Sequence, residues 1–195
     1  MKFTKLIIEL KPSRIDNGGV GVFAVVAIKK REKVTDGIPI EDFSGVVPWG
    51  EFEYLNKELQ KKVMDFCVGT SEGFIPPDDN DFNKLSIEWY FNHSCNGNLG
   101  FDKNGDFIAI RDIKKGEELT YDYGLIESNP NFKMECKCPD INCRHIITGN
   151  DWKFLSKDKS KMKYMHPFII SLIRQDQAMK GMTKSIDEAD RGLRM

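Results

Sequence analysis

Two stretches decide how this chain is read: Trp89-Tyr90-Phe91-Asn92-His93-Ser94-Cys95-Asn96-Gly97-Asn98 and Gly116-Glu117-Glu118-Leu119-Thr120-Tyr121-Asp122-Tyr123-Gly124. The first ends an apolar, aromatic run (85–91) that leads straight into the polar pair Asn92-His93. The second follows a turn at 111–116 and reads as a strand over 119–123. On a strand Tyr121 and Tyr123 share one face, so two phenols can line one channel. A phenol with a pKa near ~10 is a poor base at neutral pH. It can still hold and orient an amine through hydrogen bonds, which suits transfer to a lysine nitrogen better than hydrolysis. The plain readings stand beside these: a lone histidine is more often a satisfied structural one, and strand tyrosines often simply face a core. Ser94 adjoins His93, but adjacency in sequence is not a catalytic geometry, and no GxSxG, HExxH or P-loop motif is present.

About a dozen residues beyond the second stretch come Cys136, Cys138 and Cys143, three thiols within eight positions. With five cysteines in all, such crowding favours metal ligation over disulfides in a reducing compartment. A structural zinc site needs four ligands, so a fourth must join the three. The candidates are Cys95, which would pin this segment to the Asn92-His93 stretch, and His145, which would keep the site local. Residues 143 and 145 on an extended segment point to opposite faces, which weakens His145. Cys67 stands alone and reads as a buried structural thiol.

Working outward, residues 6–10 form a short apolar strand ending at Lys11-Pro12. Asp16-Asn17-Gly18-Gly19 is a turn signal feeding the β-branched run 20–28. Glycine on either side of Val20, at Gly19 and Gly21, marks a bulge or a close approach to the backbone. Residues 34–47 are short strand pieces cut by Gly37, Pro39 and Gly45. Phe52, Leu55, Leu59, Val63 and Phe66 recur at three- and four-residue spacing, so residues 50–66 read as one amphipathic helix. Residues 99–101 and 107–110 pair as a hairpin across Asn104-Gly105. Residues 153–163 read as a basic linker. A last helix starts at His166-Pro167, presents Met165, Phe168, Ile169, Leu172, Ile173 and Met179 on one face, and ends at Gly181. The fold class expected is mainly β, a β-rich α+β arrangement of several small sheets with one inserted helix and a C-terminal helix.

The chain has 195 residues, 40% of them hydrophobic and 30% charged, with a net charge of −1. That suits one globular domain with an appendage and excludes a polyelectrolyte binder. The apolar runs are too short to span a bilayer, and Glu9 and Lys11 interrupt anything resembling a leader at the start. The chain therefore reads as intracellular, with no membrane partner. Residues 36–83 carry 11 acidic against 3 basic residues, and residues 153–184 carry 8 basic against 2 acidic. These are solvated faces, or an acidic surface for a basic peptide and a basic tail for weak contact with DNA.

Taken together, Asn92-His93-Ser94-Cys95, the 116–124 stretch and the cysteine triplet followed by Arg144 and Gly149 resemble the SET domain of protein lysine methyltransferases with its post-SET zinc segment. The resemblance covers about residues 18–152. It implies a pseudoknotted SET fold over residues 1–130, with 49–85 as an inserted substrate-reading segment, a zinc segment over 131–152, and a basic linker and helix over 153–195. It implies that S-adenosylmethionine lies against Gly19, Val20 and Gly21, with Asn92 and His93 contacting it and Tyr90 packed nearby. Tyr123 matches the catalytic tyrosine, and Tyr121 matches the position linked to product state, where a tyrosine favours mono- or dimethylation. Cys95, Cys136, Cys138 and Cys143 match the zinc ligands. The partner implied is a basic protein with a target lysine, in the cytoplasm or nucleus. A homodimer through the last helix and a catalytically silent binding module are further readings. The sequence departs from the family pattern at Gly97, where proline is usual, and at Trp89, where arginine is usual. It also lacks a cysteine-rich segment before residue 92.

Overall fold

The structure is a computed structural model that describes residues 6–16, 18–37 and 45–192, with side chains except at residue 78 and residues 181–192. The strands are β1 (Ile8–Pro12), β2 (Val20–Ala24), β3 (Lys33–Thr35), β4 (Val47–Pro48), β5 (Val68–Gly69), β6 (Gly73–Ile75), β7 (Asn92–His93), β8 (Leu99–Phe101), β9 (Phe107–Ala109), β10 (Glu118–Tyr121), β11 (Lys133–Glu135) and β12 (Ile146–Thr148). The helices are α1 (Trp49–Phe52), α2 (Lys57–Phe66), α3 (Trp152–Leu155), α4 (Lys159–Met162) and α5 (Pro167–Gly192). Many short strands in small sheets, with few helices, is the architecture the sequence leads one to expect.

β10 is the hub. It runs antiparallel to β2, pairing Glu118 with Phe23 and Leu119 with Val22. It runs parallel to β7, pairing Thr120 with Asn92 and Tyr121 with His93, and parallel to β8 through Tyr121 and Leu99. The two stretches quoted at the outset are therefore neighbours in one sheet, which continues through β9 to β3 on one side and through β2 to β1 on the other. Separate two- and three-stranded sheets pair β11 with β12 and order β4-β6-β5. Gly97 sits under this crossing: a Cβ there would lie 2.6 Å from the Tyr121 Cα and 2.7 Å from the Thr120 carbonyl oxygen. The crossing leaves no room for a side chain at 97, so the departure from proline there is compatible with the fold.

The main core cluster has Leu99, Phe101, Phe107 and Leu119 fully buried, and a smaller one gathers Cys95, Cys136, Cys138 and Ile147. Phe101 and Phe107 stack with centroids 4.5 Å apart, and Phe107 meets Phe91 at 4.9 Å. Phe168, Ile169 and Ile173 of α5 and Trp152 and Leu155 of α3 belong to the main cluster, so the C-terminal helix docks on the domain by its first turns.

Several local expectations differ. The single helix over 50–66 is two, because the Asn56 side chain accepts from the Leu59 N–H at 2.8 Å and restarts the helix there. The strand from 119 stops at Tyr121, since the Asp122 side chain accepts from the Gly124 N–H and caps a 3-10 turn over Tyr123–Leu125. Tyr121 and Tyr123 still meet, with centroids 4.9 Å apart, through that turn and not through strand alternation. Residues 153–163 are not an extended linker: α3 and α4 occupy them, the Tyr164 carbonyl accepts from the Phe101 N–H, and Lys161 Nζ donates to the Cys95 carbonyl at 3.2 Å. The last helix passes Gly181 and runs to Gly192. Pro39 and Asn17 lie outside the described residues. Among the described residues no helix is long and apolar enough to cross a membrane.

Candidate functional site

A cavity of about 600 Å³ opens beside β10, a size that suits a small-molecule site. Its walls come from four places. Gly19 of the β1–β2 turn and Val20 at the start of β2 form one side. Residues 89–93 form the floor. Lys61, Met64 and Phe66 of α2 form a third wall, and residues 132–137, around β11, a fourth. Tyr121 and Tyr123 line its inner end, with Glu127. The structure thus gathers Gly19, Val20, Tyr90, Asn92, His93, Tyr121 and Tyr123 around one space. Gly21 lies just behind it.

Asn92 is the joint between wall and floor. Its Nδ2 donates to the Val20 carbonyl at 3.0 Å, to Glu118 Oε1 at 3.1 Å and to Ser13 Oγ at 3.1 Å. Glu118 Oε1 accepts in turn from the Ser13 hydroxyl at 2.7 Å. A Cβ at Gly21 would come within 2.3 Å of Glu118 Oε1. A side chain there would push the Glu118 carboxylate aside and disturb this polar knot, which passes directly over the strand. Tyr90 packs edge-on against Phe66 of α2, with centroids 5.6 Å apart. Glu118 and Ser13 were not singled out from the sequence, since nothing in a lone serine or a turn glutamate signals that they share one asparagine.

His93 is 4% exposed. Its Nδ1 accepts from the Tyr123 N–H at 3.1 Å, and its Nε2 lies 3.5 Å from Cys95 Sγ. The ring is therefore neutral, with its hydrogen on Nε2 facing the sulfur. Burial, reinforced by Arg144 and Lys161, pulls its pKa down to about 4 against the opposing pull of Asp122. The ring's two nitrogens hold the Tyr123 backbone and the cysteine cluster in register, while the residue lines the cavity.

The Tyr123 hydroxyl donates to the Phe91 carbonyl at 3.1 Å. Burial raises both phenols. For Tyr121 the Tyr123 phenol, Glu127 and Asp122 add to the rise, and for Tyr123 Asp16 and Glu127 do so. Both phenols stay protonated at neutral pH, as hydrogen-bonding groups and not as bases. Glu127 is 5% exposed, with Oε2 accepting from the Gly69 N–H and Oε1 from the Asn129 N–H, each at 2.8 Å. Burial, opposed by those N–H groups and that of Ser128, pushes its carboxyl up to about 7. The one sequence signal for it is an acid directly following the apolar pair Leu125-Ile126.

Cys95, Cys136, Cys138 and Cys143 converge, their four Sγ atoms all within 4.8 Å of one another. His145 is exposed and is not among the grouped ligand atoms. Four thiolates at ~2.3 Å from a tetrahedral ion would stand about 3.8 Å apart, and Cys95 and Cys136 are 3.8 Å apart. Backbone N–H groups already face the sulfurs: Cys138 N to Cys136, Arg144 N to Cys95 and His145 N to Cys143, at 3.3 to 3.4 Å. Such donors stabilise thiolates. The set fits a metal ion. Arg144 also reaches past the cluster to Asp122, with two contacts of 2.7 Å, and its Nε lies 3.2 Å from Asp151. The cysteine loop is thereby bolted to the residue that precedes Tyr123.

The family model described as SET domain matches residues 19–124. Among curated proteins, the chain is 29% identical over 170 residues to the histone-lysine N-methyltransferase set1 of Dictyostelium discoideum, covering 70% of this chain and 11% of that protein. It is 39% identical over 152 residues to a variant-silencing SET domain-containing protein of Plasmodium falciparum, covering 71% and 6%. It is 35% identical over 146 residues to the histone-lysine N-methyltransferase Set2 of Drosophila melanogaster, covering 70% and 6%. The chain spans only a small part of the length of each of these relatives.

Proposed function

The chain belongs to the SET-domain family, and we propose that it transfers the methyl group of S-adenosylmethionine to the ε-amine of a lysine in a histone or another basic protein. What carries this reading is the single cavity that joins the Gly19-Val20 backbone and Asn92 at one end to Tyr121 and Tyr123 at the other. S-adenosylmethionine supplies an electrophilic methyl on a sulfonium. Gly19, Val20, Tyr90, Asn92 and His93 bind it. Tyr123 and Tyr121 orient the amine in line with the methyl, and alignment supplies most of the rate. Oxygen dipoles, the Phe91 carbonyl among them, stabilise charge at the transferring carbon. The Tyr121 hydroxyl leaves space for one or two methyl groups, so the products are mono- and dimethyl-lysine. Cys95, Cys136, Cys138 and Cys143 hold one structural zinc, which fixes β11 as a wall of the site. Residues 49–85 read the peptide, as the α2 side chains on the cavity suggest, and the lysines of 153–184 add weak contact with DNA where the substrate is chromatin.

The test is titration of the zinc-loaded chain with S-adenosylmethionine, beside Asn92→Ala, followed by labelled methyl transfer to core histones. Binding that is lost in the variant, with label on lysine, is expected. A folded, zinc-loaded chain that neither binds the donor nor labels protein would make it a silent binding module.

A further inference from the structure

The wall of the cavity beside the two tyrosines holds an acid that this reading does not use. Glu127 lines the cavity, is 5% exposed, and adds its charge to the environment of both phenols. Its two oxygens each accept one backbone N–H, from Gly69 and Asn129. A carboxylate can accept about four such bonds, so each oxygen keeps capacity to spare. Among the described residues no lysine or arginine forms an ion pair with it. The contrast within the same turn is Asp122, whose two oxygens are taken by Arg144.

The accepting amine must be neutral to attack, and a lysine in water is an ammonium up to a pKa of about 10. A channel of phenols and carbonyls can orient the amine but has nowhere to put its proton. Resting on the methyl-transfer reading, we propose that Glu127 is the anionic group of the lysine channel: it draws the substrate ammonium toward Tyr121 and Tyr123 and accepts the proton that the amine must lose. In that step one Nζ–H bond breaks and a carboxyl O–H bond forms, directly or through one water. The electron pair stays on nitrogen, ready for the methyl, and the carboxyl afterwards returns its proton to solvent. Burial that holds this carboxyl near neutral matches the task, since a base works best when its pKa lies near the working pH.

The other titratable groups facing the cavity can be told apart from it. From the core sheet and its turn they are Tyr121, Tyr123 and His93, and from the β1–β2 turn Asp16. From α2 and the residue after it they are Lys61, Asp65 and Cys67, with Glu88 and Tyr90 before β7. From β11 and its flank they are Lys133, Glu135, Lys137 and the metal-site Cys136. Among these carboxyls only Glu127 is buried.

Two measurements test the assignment on the zinc-loaded full chain. The first follows the Glu127 carboxyl carbon by NMR while n-butylammonium, a lysine side-chain probe, is added. The Glu127 signal is expected to titrate at lower pH when the probe is bound. A carboxyl that the probe does not move overturns the proposal, and this readout needs neither a variant nor turnover. The second compares methyl transfer to core histones by wild type and Glu127→Gln from about pH 7 to about pH 10. A loss of roughly 10²-fold at the low end, narrowing as lysine loses its proton in solution, is expected with donor binding unchanged. Wild-type rates in the variant, or an equal loss at every pH, overturns it and leaves Glu127 a clamp on Gly69. If wild type binds the donor but labels no protein, the methyl-transfer reading fails, and the probe titration still decides whether Glu127 is a cation site.

Discussion

Asp122 and Glu127 flank Tyr123, one immediately before it and one four residues after, and both are buried. Asp122 faces the cysteine cluster. It is held by two 2.7 Å contacts from Arg144 and caps the turn that presents Tyr123. Glu127 faces β5 and the cavity, and among the described residues its hydrogen bonds come from the backbone N–H groups of Gly69 and Asn129. One side of the turn is locked by a compensated charge and four thiols. The other joins β5 through neutral backbone contacts, including the Ser128 N–H donating to the Gly69 carbonyl at 3.0 Å. The difference teaches that the rigid side positions the tyrosine, while the side without a fixed cation is where a cationic substrate can be received.

Metal removal breaks the rigid side with the largest expected effect. Structural zinc contributes folding free energy on the order of 10 kcal/mol in small sites. Chelation is expected to release one equivalent of zinc, loosen residues 133–148 in hydrogen exchange and abolish donor binding. Next comes Arg144→Ala. It leaves Asp122 buried without its cation, at about 3–5 kcal/mol, and should lower the melting temperature by about 2–4 °C for each kcal/mol. An unchanged melting temperature would mean that Asp122 needs no counter-ion.

The Glu127 side is expected to answer to pH instead. Its carboxyl is raised from 4.5 to about 7 by burial. Between those values the folded chain keeps a proton that the unfolded chain has lost. This group's contribution to stability is therefore greatest at the acid end, falls as pH rises through that window, and is level above it. Melting curves from about pH 5 to about pH 8 should show that fall in wild type, and a smaller one in Glu127→Gln. A parallel dependence in both chains would place the titration elsewhere.

Smaller changes sharpen the same contrast at the tyrosines. Tyr123→Phe removes the hydroxyl bonded to the Phe91 carbonyl, at about 1 kcal/mol of stability. Methyl transfer should fall while donor binding, measured calorimetrically, persists. Full activity would remove Tyr123 from the mechanism. Smallest in stability is Tyr121→Phe, expected to shift products toward trimethyl-lysine by mass spectrometry. An unchanged product distribution would count against Tyr121 as the product-state residue.

Much was legible before the fold. The 92–95 and 116–124 stretches, the three clustered cysteines and the turn glycines carry local chemistry, and local chemistry is written in neighbouring residues. Short alternating strands, the Asn104-Gly105 hairpin and the apolar face of the last helix follow from periodicity and turn stereochemistry. Other features depended on which strands share a sheet. β10 pairs with segments some twenty to a hundred residues distant, bringing Glu118 beside Asn92, and other long-range contacts bring Ser13 to Asn92, Cys95 to the cysteine loop and Glu127 to Gly69. The break at Asn56 and the cap at Asp122 were decided by single side-chain hydrogen bonds that compete with helix and strand. The sequence alone determined the sheet-forming segments and the residue types of the site. The tertiary structure decided which carboxylate is neutralised and which is not, because a buried charge is set by what long-range pairing packs against it.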